Sequence, residues 1–588
     1  MSISQAAGQN EAKISSPKKS SFIQGDQSST LYSAVLANLI DDQAAKNGSH
    51  VAAVFSWQNH SITYEQLADR SRLLAKSMLE AGLKHGDTVG IIAGNCYQYI
   101  EAFLGAARIG CPFVVFNNTY SAKELTAALA VSSCRLLFMA KNIGHKSLLP
   151  HIDTLRSHPE SVPELRRIIL LSQLRVEDSL GAVEVMGYST FVNNGHSVFV
   201  NNATLRRAEK KVKDTDVLNL QFTSGTTGAP KAAMLTYRNL INNGKLVGDR
   251  LNLTSKDRLC CPPPLFHCFG LVMGFLAAFT HSTTIVFPSD QFEPNQVLES
   301  LARERCTALY GVPTMFLAEI EANSKKKYKF NSLRVALAAG SPVSPSLVGR
   351  VRQELGVEKV LIAYGMTETS PVTFMTSLDD SEEMLFKTVG KIMPHTLAKI
   401  INEQGEIVPR GVRGELCTGG YALQKGYWRN EEKTAEAMTT DQKGVRWMHT
   451  GDECLINDDG YCVITGRIKD LIIRGGENIS PVQVEERLLE HTSIAEASVV
   501  GLADAKYGEV VSCFLRLREG VTRPTSDEIV QWVRARLGSH KTPKHIFWIG
   551  HPEVGNEYPK TGSGKHQKHI LRAIGNRIVR QQELKARL

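Results

Sequence analysis

Between Gly86 and Tyr120 the chain passes from a short apolar run, Thr88 to Ala93, through a helical period, Tyr97 to Arg108, to an apolar run rich in β-branched and aromatic residues, Pro112 to Phe116. Similar alternation returns from Asp257 to Pro313 and from Leu333 to Tyr364. Units of this kind demand a mainly parallel sheet with helices on its faces, because a parallel neighbour is reached only through a crossover. Ligand loops then collect at the carboxyl ends of the strands. At 588 residues the chain also exceeds one core. From Arg413 to Gly466 the texture changes to short β-like runs between Gly and Asp turns, which reads as a smaller β-rich subdomain. A second break falls at Gly466–Asp470, and beyond it a small α+β unit is expected, with a helix over Pro481 to Glu490 and strands near Ala495–Val500 and Ser512–Leu517.

Two segments placed at predicted strand ends carry chemistry. Thr223 to Lys231 reads TSGTTGAPK after the apolar run Val217–Phe222, between an expected strand and an expected helix. The hydroxyls of Thr223, Ser224, Thr226 and Thr227, the N–H groups freed around Gly225 and Gly228, and the charge of Lys231 suit a polyphosphate; Ala229 and Pro230 complete the loop. It is not a Walker A loop, since Gly-x-x-x-x-Gly-Lys-Ser/Thr fits nowhere and Ala232 follows the lysine. Taken alone, such a loop is also what an ordinary turn looks like. Tyr364-Gly365-Met366-Thr367-Glu368 follows the run Val360–Ala363 in the same manner.

Composition narrows the function classes. The net charge of +9 is spread along the chain. Its clusters, Lys325–Lys327 and Arg206-Arg207 beside Lys210-Lys211, lack interleaved aromatics, so they read as solvated faces and nucleic acid is not an expected partner. The charge does favour anionic substrates such as nucleotides. Eleven cysteines are scattered without any Cys-x-x-Cys; Cys260, Cys261 and Cys268 lie near His267 at a spacing that matches no zinc site, and read as buried thiols of a reduced compartment. The longest apolar run, Phe269–Phe279, is too short for a transmembrane helix, and no secretory signal is visible. The first thirty residues, rich in Ser, Gln and Lys, are expected to be disordered. Ala586-Arg587-Leu588 has the small–basic–leucine pattern of a peroxisomal address, so the import receptor is an expected partner and the peroxisome the expected location, with the cytoplasm as alternative.

Taken together the motifs resemble the adenylate-forming superfamily, which includes acyl-CoA synthetases, plant coumarate-CoA ligases and beetle luciferases. The resemblance runs from about Leu31 to the C-terminus and rests on TSGTTGAPK, YGMTE at 364–368, HTGD at 449–452, GRIKDLIIRGGENISP at 466–481 and PKTGSGKHQK at 559–568. PLFHCFG at 264–270, YGVPTMF at 310–316 and GKIMPHT at 390–396 look most like the medium-chain acyl-CoA synthetase branch. The resemblance implies a large domain over 31–467, built of two mainly parallel αβαβα subdomains plus a β-rich one at about 397–467, and a small mobile lid domain over 468–588. It also implies an ATP-dependent carboxylic acid–CoA ligase using ATP, Mg²⁺ and CoA.

The same resemblance assigns roles. The Thr223–Lys231 loop would hold the β- and γ-phosphates, Glu368 the Mg²⁺ and Thr367 the α-phosphate. Tyr364 would lie against the adenine, within the nucleotide segment Ala363, Gly365 and Met366. Asp452 would accept the ribose hydroxyls with Arg467 nearby, and Lys565 would bridge the reacting carboxylate and the α-phosphate. Lys469 would be the hinge, Arg474-Gly475-Gly476-Glu477 would close the pantetheine tunnel, and Lys541 and Lys544 would contact the CoA nucleotide. His267 would gate the acyl pocket or orient the carboxylate, although a core histidine satisfied by backbone fits the sequence too. Phe269, Val312 and Gly340 are pocket candidates, with Gly340-Ser341-Pro342 shared between pocket and adenine site; Phe269, like Phe266, Met273 and Met315, also reads as ordinary core. Ala232 and Tyr237 replace a glycine and a histidine common in relatives, and Asn117-Asn118-Thr119 stands where relatives often show Asn-Pro. The expected acid is short- to medium-chain, branched or hydroxylated acids included, in peroxisomal lipid or secondary metabolism. The alternatives are an enzyme loading a free carrier protein, a luciferase-like oxidase and a catalytically inactive scaffold. Glu177-Asp178-Ser179-Leu180 lacks the glycines of a tethered carrier site, and retention of Lys231, Glu368, Asp452, Arg467 and Lys565 argues against decay.

Overall fold

A computed structural model of the chain describes residues 19–172, 183–223, 231–561 and 564–587. Its large N-terminal part is organised by two sheets. The first runs Glu184–Gly187, Arg167–Leu170, Leu136–Met139, Val89–Ile92, Phe113–Val115, Val217–Thr223, Lys231–Thr236. All neighbours are parallel except the last pair. The second contains nine strands, with a parallel centre of Lys359–Gly365, Val335–Ala339, Ala308–Gly311, Arg258–Cys260, Thr284–Phe287 and Val51–Phe55, and antiparallel strands at both edges.

One shared core joins the sheets. The helix Tyr97–Arg108 is buried from Gln98 to Arg108, as a helix enclosed on every side must be. Its cluster links Val89 and Phe113 of the first sheet with Leu259, Ile285 and Leu337 of the second. Arg108, fully buried at its end, is met by Asp41 at 2.5 Å and Glu209 at 2.7 Å, so its charge is paired rather than stranded.

A six-stranded antiparallel sheet follows, built from Thr396–Ile401, Gly414–Gly420, Met438–Thr440, Arg446–Ile456 and Cys462–Arg467. Its sixth strand, Phe22–Gln24, corrects the expectation of disorder through residue 30. Phe22 pairs with Lys399 and Gln24 with Leu397, while Ser21 and Ile23 are buried. A three-residue strand has no periodicity of its own to read; the sheet edge supplies its partner. Residues 1–18 lie outside the described residues.

The smaller C-terminal unit pairs Ile494–Asp504 with Gly508–Leu517; the other edge of Gly508–Leu517 takes the hairpin Ile472–Arg474 and Glu477–Ile479 at Gly508 and His545–Trp548, in parallel, from Ser512 to Leu515. Helices Pro481–Leu489 and Ser526–Arg534 cover one face through Val484, Leu488, Ile529 and Val533. The final helix, Lys568–Arg587, covers the other through Leu571 and Ile578. Among the described residues no helix is long and apolar enough to cross a membrane. All eleven cysteines are free and buried.

Candidate active site

Strands of both sheets end at one place. Thr223 closes its strand, and Ala363-Tyr364-Gly365 closes another. Gly340 follows Val335–Ala339, Val312 follows Ala308–Gly311, and Cys261–His267 follows Arg258–Cys260. This is the switch-point placement in which an open parallel sheet presents ligand loops.

The phosphate-type loop departs from its expected setting. A strand, Lys231–Thr236, follows it instead of a helix, and Thr223 faces Lys231 in antiparallel register. Ala232, Ala233 and Leu235 are buried there, which favours sheet over helix; the helix starts only at Tyr237 behind the Thr236–Asn239 capping box. Ser224–Pro230 lie outside the described residues. The Lys231 ammonium sits 5.1 Å above the Tyr427 ring. Ala232 occupies ordinary strand backbone, and the Tyr237 hydroxyl donates to the Ala107 carbonyl at 2.6 Å in the core.

Tyr427 is the residue that sequence reading missed. Its hydroxyl donates to Glu368 Oε1 at 2.8 Å, so one side chain touches both the loop lysine and the buried carboxylate. Only the unremarkable Gly426-Tyr427 pair marks it in the sequence. Glu368 is 6% exposed and makes no ion pair among the described residues. A buried carboxylate without a cation is costly. As an oxygen donor beside Lys231 it fits a hard divalent ion that takes its remaining ligands from phosphate and water. Glu368 is held by backbone on both sides. Its carbonyl accepts from the Gln424 N–H at 2.8 Å, and the Met366 N–H donates to the Pro371 carbonyl at 3.1 Å. Gly365 permits that close return, because a Cβ there would stand 1.8 Å from the Pro371 oxygen.

Asp452 and Arg467 are cross-strand partners, which brings residues fifteen apart in sequence into contact. Arg467 Nε donates to Asp452 Oδ1 at 3.0 Å and the Tyr364 hydroxyl to Oδ2 at 2.5 Å. Each oxygen keeps a lone pair, so the carboxylate can accept further donors. Tyr364 is thus fixed by Asp452 as well as by its strand.

Lys565 reaches this cluster from the C-terminal unit. Its loop is closed by Thr561 N–H to the Lys565 carbonyl at 2.8 Å and Gly564 N–H to the Thr561 carbonyl at 2.8 Å. Gly564 lies against Val312 and Thr314 of the large domain; Gly562 and Ser563 lie outside the described residues. Lys565 keeps solvent-exposed surface, yet its ammonium feels the site. Burial and then the Arg467 guanidinium lower its pKa, against the pull of Asp452 and Glu368. A lysine so placed is short of negative charge, and an arriving anion would restore it.

His267 sits at the mouth of the π-helix Phe269–Leu276. Its Nδ1 accepts from the Phe269 N–H at 3.1 Å, which leaves the proton of the neutral ring on Nε2. Burial, with the Lys565 ammonium second, pulls its pKa down to about 4. The ring is therefore a neutral donor at ordinary pH, with a backbone anchor as the core reading foresaw. Phe269 is buried against Tyr310, with ring centroids 5.7 Å apart. Val312 and Gly340 adjoin, since a Cβ on Gly340 would stand 3.3 Å from Val312 Cγ1. Ser341 and Pro342 follow at the surface.

The two segments assigned to CoA meet each other rather than the nucleotide cluster. Arg474 donates to the His540 carbonyl and lies over Tyr507, and Glu477 faces His540 at 3.5 Å. Gly475 and Gly476 take the positive φ of the hairpin turn, 59° and 88°. Lys541 is bonded to Gln483 at 2.8 Å, and Lys544 is paired with Asp504 at 2.6 Å, so neither is a spare cation in this arrangement. Lys469 lies in the short helical turn Ile468–Asp470 between the two parts. Ala586 and Arg587 end the last helix, and Leu588 lies outside the described residues.

Comparison with known proteins agrees with this geometry. Residues 40–428 match the family described as AMP-binding enzyme, and residues 483–565 match the AMP-binding enzyme C-terminal domain. The chain belongs to the AMP-binding enzyme family, and within it to the AMP-forming acid–CoA ligases. It is 46% identical to acyl-CoA ligase sidI of Aspergillus fumigatus, over 96% of this chain and 95% of that one. It is 34% identical to a mitochondrial medium-chain acyl-CoA ligase of Bos taurus, over 94% and 89%. Among solved structures, an anthranilate CoA ligase in complex with anthranoyl-AMP shares the fold at a TM-score of 0.81 and 21% identity, covering 95% of this chain and 98% of the other.

Proposed function

We propose that this ligase activates a short- to medium-chain aliphatic acid, branched or hydroxylated acids included, and passes it to CoA in the peroxisome. In the first step a carboxylate oxygen bonds to the α-phosphorus of ATP and pyrophosphate leaves. In the second the CoA thiol, losing its proton, bonds to the acyl carbon and AMP leaves. The observation that carries the reading is the meeting of one C-terminal ammonium, Lys565, with Glu368, Asp452, Arg467 and His267 at the strand ends.

The first step presses a carboxylate against a polyphosphate, so fixed positive charge and donors must already be in place. Lys565 would lie between the two anions, and Lys231 would face the departing pyrophosphate. Glu368 would hold Mg²⁺ with Tyr427 steadying its carboxylate, and the ion would neutralise phosphate charge. Asp452 would accept the ribose hydroxyls. His267, neutral with its Nε2 proton, would donate to the acid without adding a charge. Lys565 must then vacate the site for the thiol, and a swivel near Lys469 would allow it. The medium-chain name of one relative supports the acid class; Ala586-Arg587-Leu588 supports the location.

The test is acid-dependent ATP–pyrophosphate exchange over short, medium, branched and hydroxylated acids, followed by thioester detection with CoA. Exchange with aromatic or very long acids alone would overturn the acid class. A tagged protein still peroxisomal without its last three residues would overturn the use of that signal.

A further inference from the structure

On the face of the antiparallel sheet flanking the Asp452 turn, three metal-ligating side chains of different kinds converge. They are Glu415, Cys417 and His449, whose donor atoms lie within 4.8 Å of one another, the only such trio among the described residues. Cys417 and His449 are directly opposed cross-strand partners, and Glu415, two residues before Cys417 on the same strand, shares its face of the sheet. His449 Nδ1 stands 3.0 Å from Glu415 Oε2 and 3.5 Å from Cys417 Sγ. The ring's other nitrogen, Nε2, faces the Thr439 hydroxyl on the next strand at 3.1 Å.

From these contacts we infer that Glu415, Cys417 and His449 form a binding site for a single zinc-class divalent cation. Ligands about 2.0–2.3 Å from such an ion, at tetrahedral angles, stand roughly 3.3–3.6 Å apart. The sulfur–nitrogen separation already has that value, and the carboxylate oxygen, 3.0 Å from the ring nitrogen and within 4.8 Å of the sulfur, reaches it by a turn of its side chain. Thiolate with imidazole and carboxylate selects a borderline-soft ion over Mg²⁺ or Ca²⁺. The Thr439 hydroxyl can accept from Nε2–H, which fixes the tautomer that frees Nδ1 to ligate. Cys417 is buried against Trp447 and Ile401, whereas Glu415 and His449 are half-buried, so the ion enters from their side and keeps water as its fourth ligand.

Without the ion the trio is held by an imidazolium–carboxylate pair, both ring nitrogens protonated, and binding replaces the Nδ1 and sulfur protons, which leave to solvent. The neighbouring cation across the sheet, Lys399, opposite Cys417, points over the Trp447 ring at 4.2 Å. Glu415 also ties the site to the nucleotide cluster, because its Oε1 accepts the Gly451 N–H at 3.1 Å in the turn that presents Asp452. The cation therefore staples that turn to the neighbouring strand.

The full-length protein, stripped with chelator, is titrated with Co²⁺ as probe. The expected result is a single cobalt per chain with tetrahedral visible bands and a thiolate-to-cobalt charge-transfer band. That band disappears in Cys417→Ser, and affinity falls roughly tenfold or more in Glu415→Gln and His449→Gln. The latter two substitutions lie outside the Trp447 cluster and leave it packed. Zn²⁺ should displace the cobalt and raise the thermal midpoint of the parent protein but not of His449→Gln. No charge-transfer band in the parent, or an unchanged band and midpoint shift in the glutamine variants, overturns the site.

Discussion

Replacing Tyr427 by Phe is the sharpest probe of the nucleotide cluster, because it deletes one atom with two known neighbours' positions. The ring stays beneath the Lys231 ammonium, 5.1 Å from its centroid, while the 2.8 Å hydrogen bond to Glu368 Oε1 is lost. Hydrogen bonds to a charged group contribute about 1.5–3 kcal/mol, and more is at stake when the group is buried. Glu368 is buried, with its carbonyl and flanking backbone pinned by Gln424 and Pro371, so its side chain can only rotate in place. If the carboxylate must be aimed for adenylation, the variant should lose roughly ten- to 150-fold in kcat/KM for acid-dependent pyrophosphate exchange. The Mg²⁺ concentration for half-maximal rate should rise in parallel, and the thermal midpoint should change little. A loss of under twofold, with unchanged Mg²⁺ dependence, would refute the positioning role and the assignment of Glu368 with it.

Other substitutions separate the remaining elements. Lys565→Ala should lower pyrophosphate exchange roughly a hundred- to a thousandfold while thioester formation from supplied acyl-adenylate stays near the parent rate; equal loss in both would contradict a lysine that leaves after the first step. His267 is held neutral with a pKa near 4 against 6.5 in an exposed chain, so its contribution to stability is complete above pH 6.5 and declines as pH falls toward 4. His267→Gln should flatten the thermal midpoint over that window, and an unchanged slope would dispose of the argument. Glu319 is fully buried, with neither oxygen bonded among the described residues, and burial pushes its carboxyl up to about 8. The sign is opposite: its neutral form fits the fold below pH 4.5, and stability is lost as pH rises toward 8. Glu319→Gln should raise the midpoint by a few degrees at pH 8 and by nothing near pH 4, and a midpoint lowered at pH 8 would count against a buried neutral acid.

How far these elements could be read in advance depended on whether their signal is local. Strand and helix around Tyr97–Arg108 were legible because burial imposes periodicity on neighbouring residues. The family's motifs were legible for a related reason. Thr223, Lys231, Glu368, Asp452 and Lys565 lie in short segments whose glycines and hydroxyls are needed for backbone shape as much as for chemistry. Sequence alone therefore determined the α/β class and the family.

Tertiary structure decided what depends on partners distant in the chain. Phe22–Gln24 became a strand because a sheet edge was free to receive it, and Lys231–Thr236 became one because it pairs with Val217–Thr223. Tyr427 joined Lys231 to Glu368, Arg474 met His540, and Lys544 was claimed by Asp504, each by contact that no local pattern encodes. The physical reason is common to all of them. Periodicity and turn chemistry report a residue's own backbone, whereas a hydrogen bond or an ion pair is settled only when folding brings its second member within about 3 Å.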